Sequence, residues 1–194
     1  MSKKCYRFFG GLLNAQANWL NKMSKKGYRL IQTGKLLYEF EECKPDEVTY
    51  CVEFIGDKSK QHAQDYFLFL EDIGYKVFFK NIGLSVSVGK VRWRPWAEKG
   101  GRIATSAATF NRELLIAEKE NDGKPFELHT SYEDKANYYR NLRNPWLLIL
   151  LMFILFAVIN HSIVFGMLTL IPMIPVLVYQ IHIMYNRQKA KTHE

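Results

Sequence analysis

The stretch WLNKMSKKGYRL, residues 19–30, decides how the first two thirds of this chain are read. Trp19, Leu20 and Met23 recur at helical spacing, and Gly27 ends the helix as the residue that enters a left-handed backbone most easily. Tyr28-Arg29-Leu30-Ile31 then continues as an extended run. The pattern returns 47 residues later. Tyr66, Phe67 and Leu70 take the places of Trp19, Leu20 and Met23, and Gly74-Tyr75-Lys76-Val77 those of Gly27-Tyr28-Arg29-Leu30. A strand candidate precedes each helix, at 5–9 and 48–55. The chain therefore carries two β-α-β units, near 5–31 and 48–79.

Between the units, residues 36–43 form a further strand, with Tyr38 and Phe40 alternating against Glu39 and Glu41. It turns at Lys44-Pro45-Asp46, which is expected to set Cys43 opposite Val48. After the second unit, Leu84, Val86 and Val88 alternate with Ser85 and Ser87, and Gly89 permits a bulge before Val91-Arg92-Trp93-Arg94. A β-hairpin is expected near 113–129 around Asn121-Asp122-Gly123. Thr130 and Glu133 form a capping box for a juxtamembrane helix over 131–144. The expected fold class is α+β: a duplicated β-α-β, ferredoxin-like antiparallel sheet with two helices and an extra hairpin, all within a cytoplasmic domain at 1–130.

The rest of the chain is of a different kind. Between Pro145 and Asn186 there is no Asp, Glu, Lys or Arg. The run 146–159 is only about 21 Å long as a helix, too short for a hydrocarbon core of about 30 Å. The whole stretch 146–185 is roughly 60 Å, two crossings. Two transmembrane helices over 145–185, turning within 160–166, fit that length, followed by a basic tail at 186–194. Arg140 and Arg143 flank the first helix, and Arg187, Lys189 and Lys191 the second. Basic flanks stay in the cytoplasm, so an even number of crossings is expected in the cell membrane, with both termini cytoplasmic. Trp146 and Tyr185 sit where amphipathic rings prefer the interface.

The string 19–30, the strand Leu37-Tyr38-Glu39-Phe40 and the following Tyr50-Cys51-Val52-Glu53-Phe54 resemble a bacterial domain of unknown function, number 2812. Phe69-Leu70-Glu71-Asp72-Ile73-Gly74-Tyr75 resembles the second helix of that family. The resemblance spans roughly residues 4–95. It implies a bacterial, often membrane-anchored protein, sometimes encoded beside PadR-type transcription regulators. It implies no activity and no catalytic residues.

Composition narrows the function. An aromatic share of 14% is too high for a disordered chain, and three cysteines are too few for a disulfide scaffold. No apolar run follows the N-terminal lysines, so no signal peptide is expected. The net charge of +8 is uneven: residues 1–38 hold eight basic side chains and no acid. Lys3, Lys4, Arg7, Lys22, Lys25 and Lys26 make a candidate patch facing anionic lipid. Arg92, Trp93, Arg94, Trp96 and Arg102 interleave cations with aromatics and form a candidate anion or ligand site. Glu39, Glu41, Glu42, Asp46 and Glu47 make an acidic edge able to dock the basic N-terminal half. No Cys/His set has metal-ligand spacing, and no catalytic constellation stands out, so no metal and no cofactor are expected.

The expected function is a membrane-anchored cytoplasmic binding or regulatory module without catalytic activity. Its expected partners are the lipid bilayer and a protein in the membrane or cytoplasm. Nucleic acid is disfavoured, because tethering opposes it and no RNP-like glycine-aromatic string is present. Two alternatives are a membrane-associated enzyme acting on an anionic or lipid-like substrate through 92–112, and a small accessory subunit of a transporter complex.

Overall fold

The computed structural model describes residues 2–56, 58, 60–83, 86–88, 91–93, 103–104, 113–128 and 131–192. The chain divides into two compact units, residues 1–129 and 130–194.

Unit 1 is α+β. Its first half runs β1 (Lys3–Tyr6), α1 (Leu13–Lys25), β2 (Tyr28–Thr33) and β3 (Leu37–Glu42). β3 lies between β1 and β2, antiparallel to both, with Cys5 opposite Tyr38 and Leu30 opposite Phe40. Alternation explains its place: Tyr38 and Phe40 are fully buried on one face, while Glu41 and Glu42 run out into solvent. α1 buries Leu13, Gln16, Leu20, Met23 and Ser24 along one stripe. Gly27 ends it at φ 78°, where a Cβ would stand 2.9 Å from the Cys43 carbonyl oxygen. Only glycine lets β2 leave the helix so close to the end of β3.

The second half runs β4 (Val48–Phe54), α2 (Lys60–Asp72) and β5 (Lys76–Lys80). An excursion follows with three short strands, β6 (Val86–Val88), β7 (Val91–Trp93) and β8 (Ile103–Ala104), in a sheet of their own ordered β6-β7-β8. The chain then returns as β9 (Leu114–Glu120), which inserts between β4 and β5, antiparallel to both. Both halves thus share one plan: two parallel strands joined through a helix, with an antiparallel strand between them.

Three expectations change. The two β-α-β units do not merge into one ferredoxin-like sheet; each builds its own three-stranded sheet. Cys43 does not face Val48 across a hairpin, because β3 and β4 belong to different sheets. The hairpin near 113–129 supplies only its first arm. Both edges of β9 are taken by β4 and β5, so no edge remains for a return strand. Instead Phe126 and Leu128 fold onto the core of Ile55, Leu70, Leu115 and Ala117, with Phe126 edge-on to Tyr75.

β4 is an edge strand, and α1 covers that edge. The Asn21 side-chain amide donates to the Tyr50 carbonyl at 3.0 Å, and its oxygen accepts from the Tyr50 N–H at 2.7 Å. Ser24 Oγ donates to the Val48 carbonyl at 2.5 Å. Two side chains thus stand in for a neighbouring strand and leave less of the edge open to another chain.

Unit 2 is a helical pair: α3 (Tyr132–Ile159), α4 (Ile163–Leu168) and α5 (Leu170–Thr192). Ser131 is the N-cap, accepting from the Asp134 N–H at 3.0 Å, one residue beyond the expected Thr130 cap. The juxtamembrane and first apolar helices are continuous through Pro145, and the basic tail is the end of α5. The turn falls at 160–162, with His161 at φ 46°, inside the expected window. Pro172 offers no N–H to the preceding turn, consistent with the break between α4 and α5 at Thr169. Both arms are long and apolar enough to cross a membrane, their most apolar 18-residue windows having mean hydropathies of 2.2 and 1.9.

Candidate functional site

A set of polar contacts in unit 1 ties the β1-β3-β2 sheet to the β4-β9-β5 sheet. Arg29 of β2 donates from Nε and Nη2 to Glu118 Oε1 at 2.9 and 2.8 Å. Tyr50 of β4 donates its hydroxyl to Glu118 Oε2 at 2.7 Å and accepts from the Leu30 N–H at 2.8 Å. Glu118 is 1% exposed, so this carboxylate is both neutralised and hydrogen-bonded, as burial demands. The contact with Glu118 holds the Arg29 guanidinium charged, while burial, then the Glu118 charge, pushes the Tyr50 phenol up. In the second half, Tyr66 donates to the buried Glu53 at 2.7 Å. Glu118 escaped the sequence reading because it follows the apolar run Leu114–Ala117; a lone acid there was the available signal.

A second polar spot lies where α1 begins. Lys80, at the end of β5, donates to the carbonyls of Gly34 and Lys35 at 2.6 and 3.1 Å and lies 4.1 Å over the Tyr38 ring. Burial pulls its amine down to about 8. Beside it, the Gln16 amide nitrogen and the Tyr38 hydroxyl are buried with no hydrogen-bond partner among the described residues. The void they line, with Arg7, Lys35 and Asn81 at its wall, measures about 10 Å³, the scale of one water molecule. Phe9 and Tyr38 line it and pack edge-on to each other, and Trp19 packs edge-on to Tyr38 and Phe40. This spot can seat a small oxygen-bearing group and nothing larger.

The roomier pocket is in unit 2. It measures about 430 Å³ and opens between the polar ends of α3 and α5. Glu133, Asn137 and Arg140 line it from α3, and Arg187, Gln188 and Lys191 from α5. Ala136 and Ala190 complete its lining and, being small, leave it room. Just beyond, Tyr139 stacks on His182 at 4.8 Å, and Arg143 donates to Gln180 at 2.6 Å, closing the two helices together.

Of the expected interface residues, the fold thus gathers Arg140, Arg187 and Lys191 into one pocket. Arg143 is committed to Gln180 and Asn144, and Lys189 lies over the Tyr132 and Tyr185 rings at 5.5 and 5.3 Å. Trp146 is half-buried and Tyr185 exposed. The expected basic patch is divided. Lys3 lies over the Tyr28 ring, at the end of the sheet where α1 finishes and Lys22, Lys25 and Lys26 are exposed. Arg7 is at the opposite end of β1, over Trp19, and Lys4 is paired with Glu39 at 3.0 Å. With the Arg29–Glu47 contact at 3.9 Å, the acidic edge does dock basic side chains of the N-terminal half. Arg92 and Trp93 are on β7, opposite Ala104 and Ile103, while Arg94, Trp96 and Arg102 lie outside the described residues. Among the described residues, no group of three or more His, Cys, Asp or Glu could hold a metal ion.

A family model described as "Protein of unknown function (DUF2812)" matches residues 13–151, from the start of α1 into the apolar part of α3. No curated protein and no solved structure matches the chain.

Proposed function

The chain belongs to the DUF2812 family, and from that premise we propose that it is a two-pass membrane protein whose α+β unit works as a cytoplasmic binding or regulatory module. One observation carries the reading: the most apolar window of each arm of the helical pair is almost unburied, 6% and 11%. A soluble hairpin of this composition would turn its apolar side chains inward, whereas here Leu148, Leu151, Leu155, Ile163, Ile171 and Ile174 face outward. A hydrocarbon solvent removes that cost. The cationic ends of both arms support a cytoplasmic placement of the termini. Within unit 1, the half-buried Arg29 and the buried Glu118 and Lys80 are engaged in joining elements, which supports a module that acts through its surface.

The test is to express the chain with residues 145–194 deleted and to separate membrane from soluble fractions. The full chain is expected in the membrane fraction and the shortened chain in the soluble one. A shortened chain still held entirely by membranes would overturn the anchor role.

A further inference from the structure

We propose that the pocket between the polar ends of α3 and α5 binds the phosphate of an anionic phospholipid headgroup. The proposal rests on the membrane reading above and gives that anchor a specific ligand. Position is the first argument. Arg140 precedes Pro145, where the charge-free stretch begins, by five residues, or about 7.5 Å of helix. Arg187 follows directly on Asn186, where that stretch ends, and Lys191 lies one turn further. A bilayer of about 40–45 Å around a 30 Å hydrocarbon core leaves roughly 5–7.5 Å per leaflet for headgroups. The three cations therefore lie at the depth of the lipid phosphates.

Charge is the second argument. Arg140, Arg187 and Lys191 face one carboxylate, Glu133, and none of the three has a carboxylate within 4 Å among the described residues. Three cations held together by helix packing repel one another unless an anion joins them. Guanidinium groups match the geometry of phosphate oxygens, and the Asn137 and Gln188 amides add donors. Size is the third: about 430 Å³ lies within the range of ligand pockets, whereas the void beside Lys80 holds one water. A free phosphate shares this chemistry. The lipid is favoured because the outer faces of the same helices are apolar below the pocket, where acyl chains would continue.

The experiment places the full chain in nanodiscs of phosphatidylcholine containing a minority of phosphatidylglycerol, then extracts it gently and weighs the retained lipid by mass spectrometry. Phosphatidylglycerol should be enriched several-fold over its bulk share. Arg140→Gln and Arg187→Gln should each lower that enrichment about fivefold, as expected for about 1 kcal/mol per basic residue. Glu133→Gln should raise it. The combined change Lys44→Gln, Lys76→Gln and Lys124→Gln, which removes three exposed charges elsewhere, should leave it unchanged. Equal enrichment in wild type and in the triple variant Arg140→Gln, Arg187→Gln, Lys191→Gln would overturn the proposal. Displacement of the lipid by inorganic phosphate, with no preference for phosphatidylglycerol over phosphatidylcholine, would overturn it in favour of a soluble ligand. A chain that does not enter nanodiscs at all would overturn the membrane reading beneath it, an outcome plainly different from entry without enrichment.

Discussion

Glu118 and Lys80 are both buried charges, and they differ in what surrounds them. Glu118 has a bidentate arginine and a tyrosine hydroxyl, so removing its charge leaves Arg29 facing a neutral partner. Glu118→Gln should cost about 3 kcal/mol in a urea titration of the full chain. The Lys4–Glu39 pair, with its lysine exposed and its glutamate half-buried, should contribute little, and Glu39→Gln should leave the midpoint nearly where it was. Lys80 has only carbonyls and a ring as partners, and burial holds it near 8 against 10.5 in the unfolded chain. Between those values the unfolded state binds more protons than the folded state, so stability rises with pH. Its penalty is fully present below about pH 8 and fades as the solution becomes more alkaline. Melting temperatures at pH 7.5, 8.5 and 9.5 should climb in wild type relative to Lys80→Met. Above pH 10 the melting temperatures of both proteins should fall, since burial raises the Tyr38, Tyr50 and Tyr66 phenols and the folded state then binds more protons than the unfolded one.

At the scale of elements, the contact between α1 and β4 replaces a strand with side chains. Asn21→Ala removes a donor and an acceptor at once and leaves the Tyr50 N–H and carbonyl without them. The expected loss is about 2 kcal/mol, with faster hydrogen exchange at Tyr50. Asn21→Asp keeps the acceptor and should fall between. The helices and most strands could be read from the sequence, because Gly27 and Gly74 punctuate two copies of one pattern and Tyr38 and Phe40 alternate cleanly. Strand order could not. β9 is buried on both faces, so Leu114–Ala117 is a continuous apolar run with no sign of which strands flank it. Nor does local periodicity reveal that Arg140 and Arg187 meet. Each was legible as an interface anchor, and the pocket exists only once a hairpin brings positions 47 residues apart together.

For the whole molecule, the two-pass reading proposed above expects the turn and the α+β unit on opposite sides of the membrane. Asn160 lies in the turn after α3, farthest along either arm from the basic ends. In a chain whose three native cysteines are replaced by serine, Asn160→Cys should react with a membrane-impermeant maleimide in intact cells. A cysteine introduced at Lys124 should react only after the cells are opened. Labelling of both positions from outside would contradict the arrangement.

The insertion of β9 also sets the order in which a growing chain can complete itself. The first sheet has all its strands once residue 42 has been made, and can close on local contacts. The second waits for residues 114–120, the strand its other two members both require. Until then β4 and β5 have no partner between them, while α1 already stands ready to shield one edge of β4. The apolar helix begins soon after β9, so under the membrane reading proposed above this sheet would close at about the time the chain enters the bilayer. Distant pairings of this kind form slowly. The late strand thus makes the interval around residues 114–150 the point in synthesis at which misfolding threatens most.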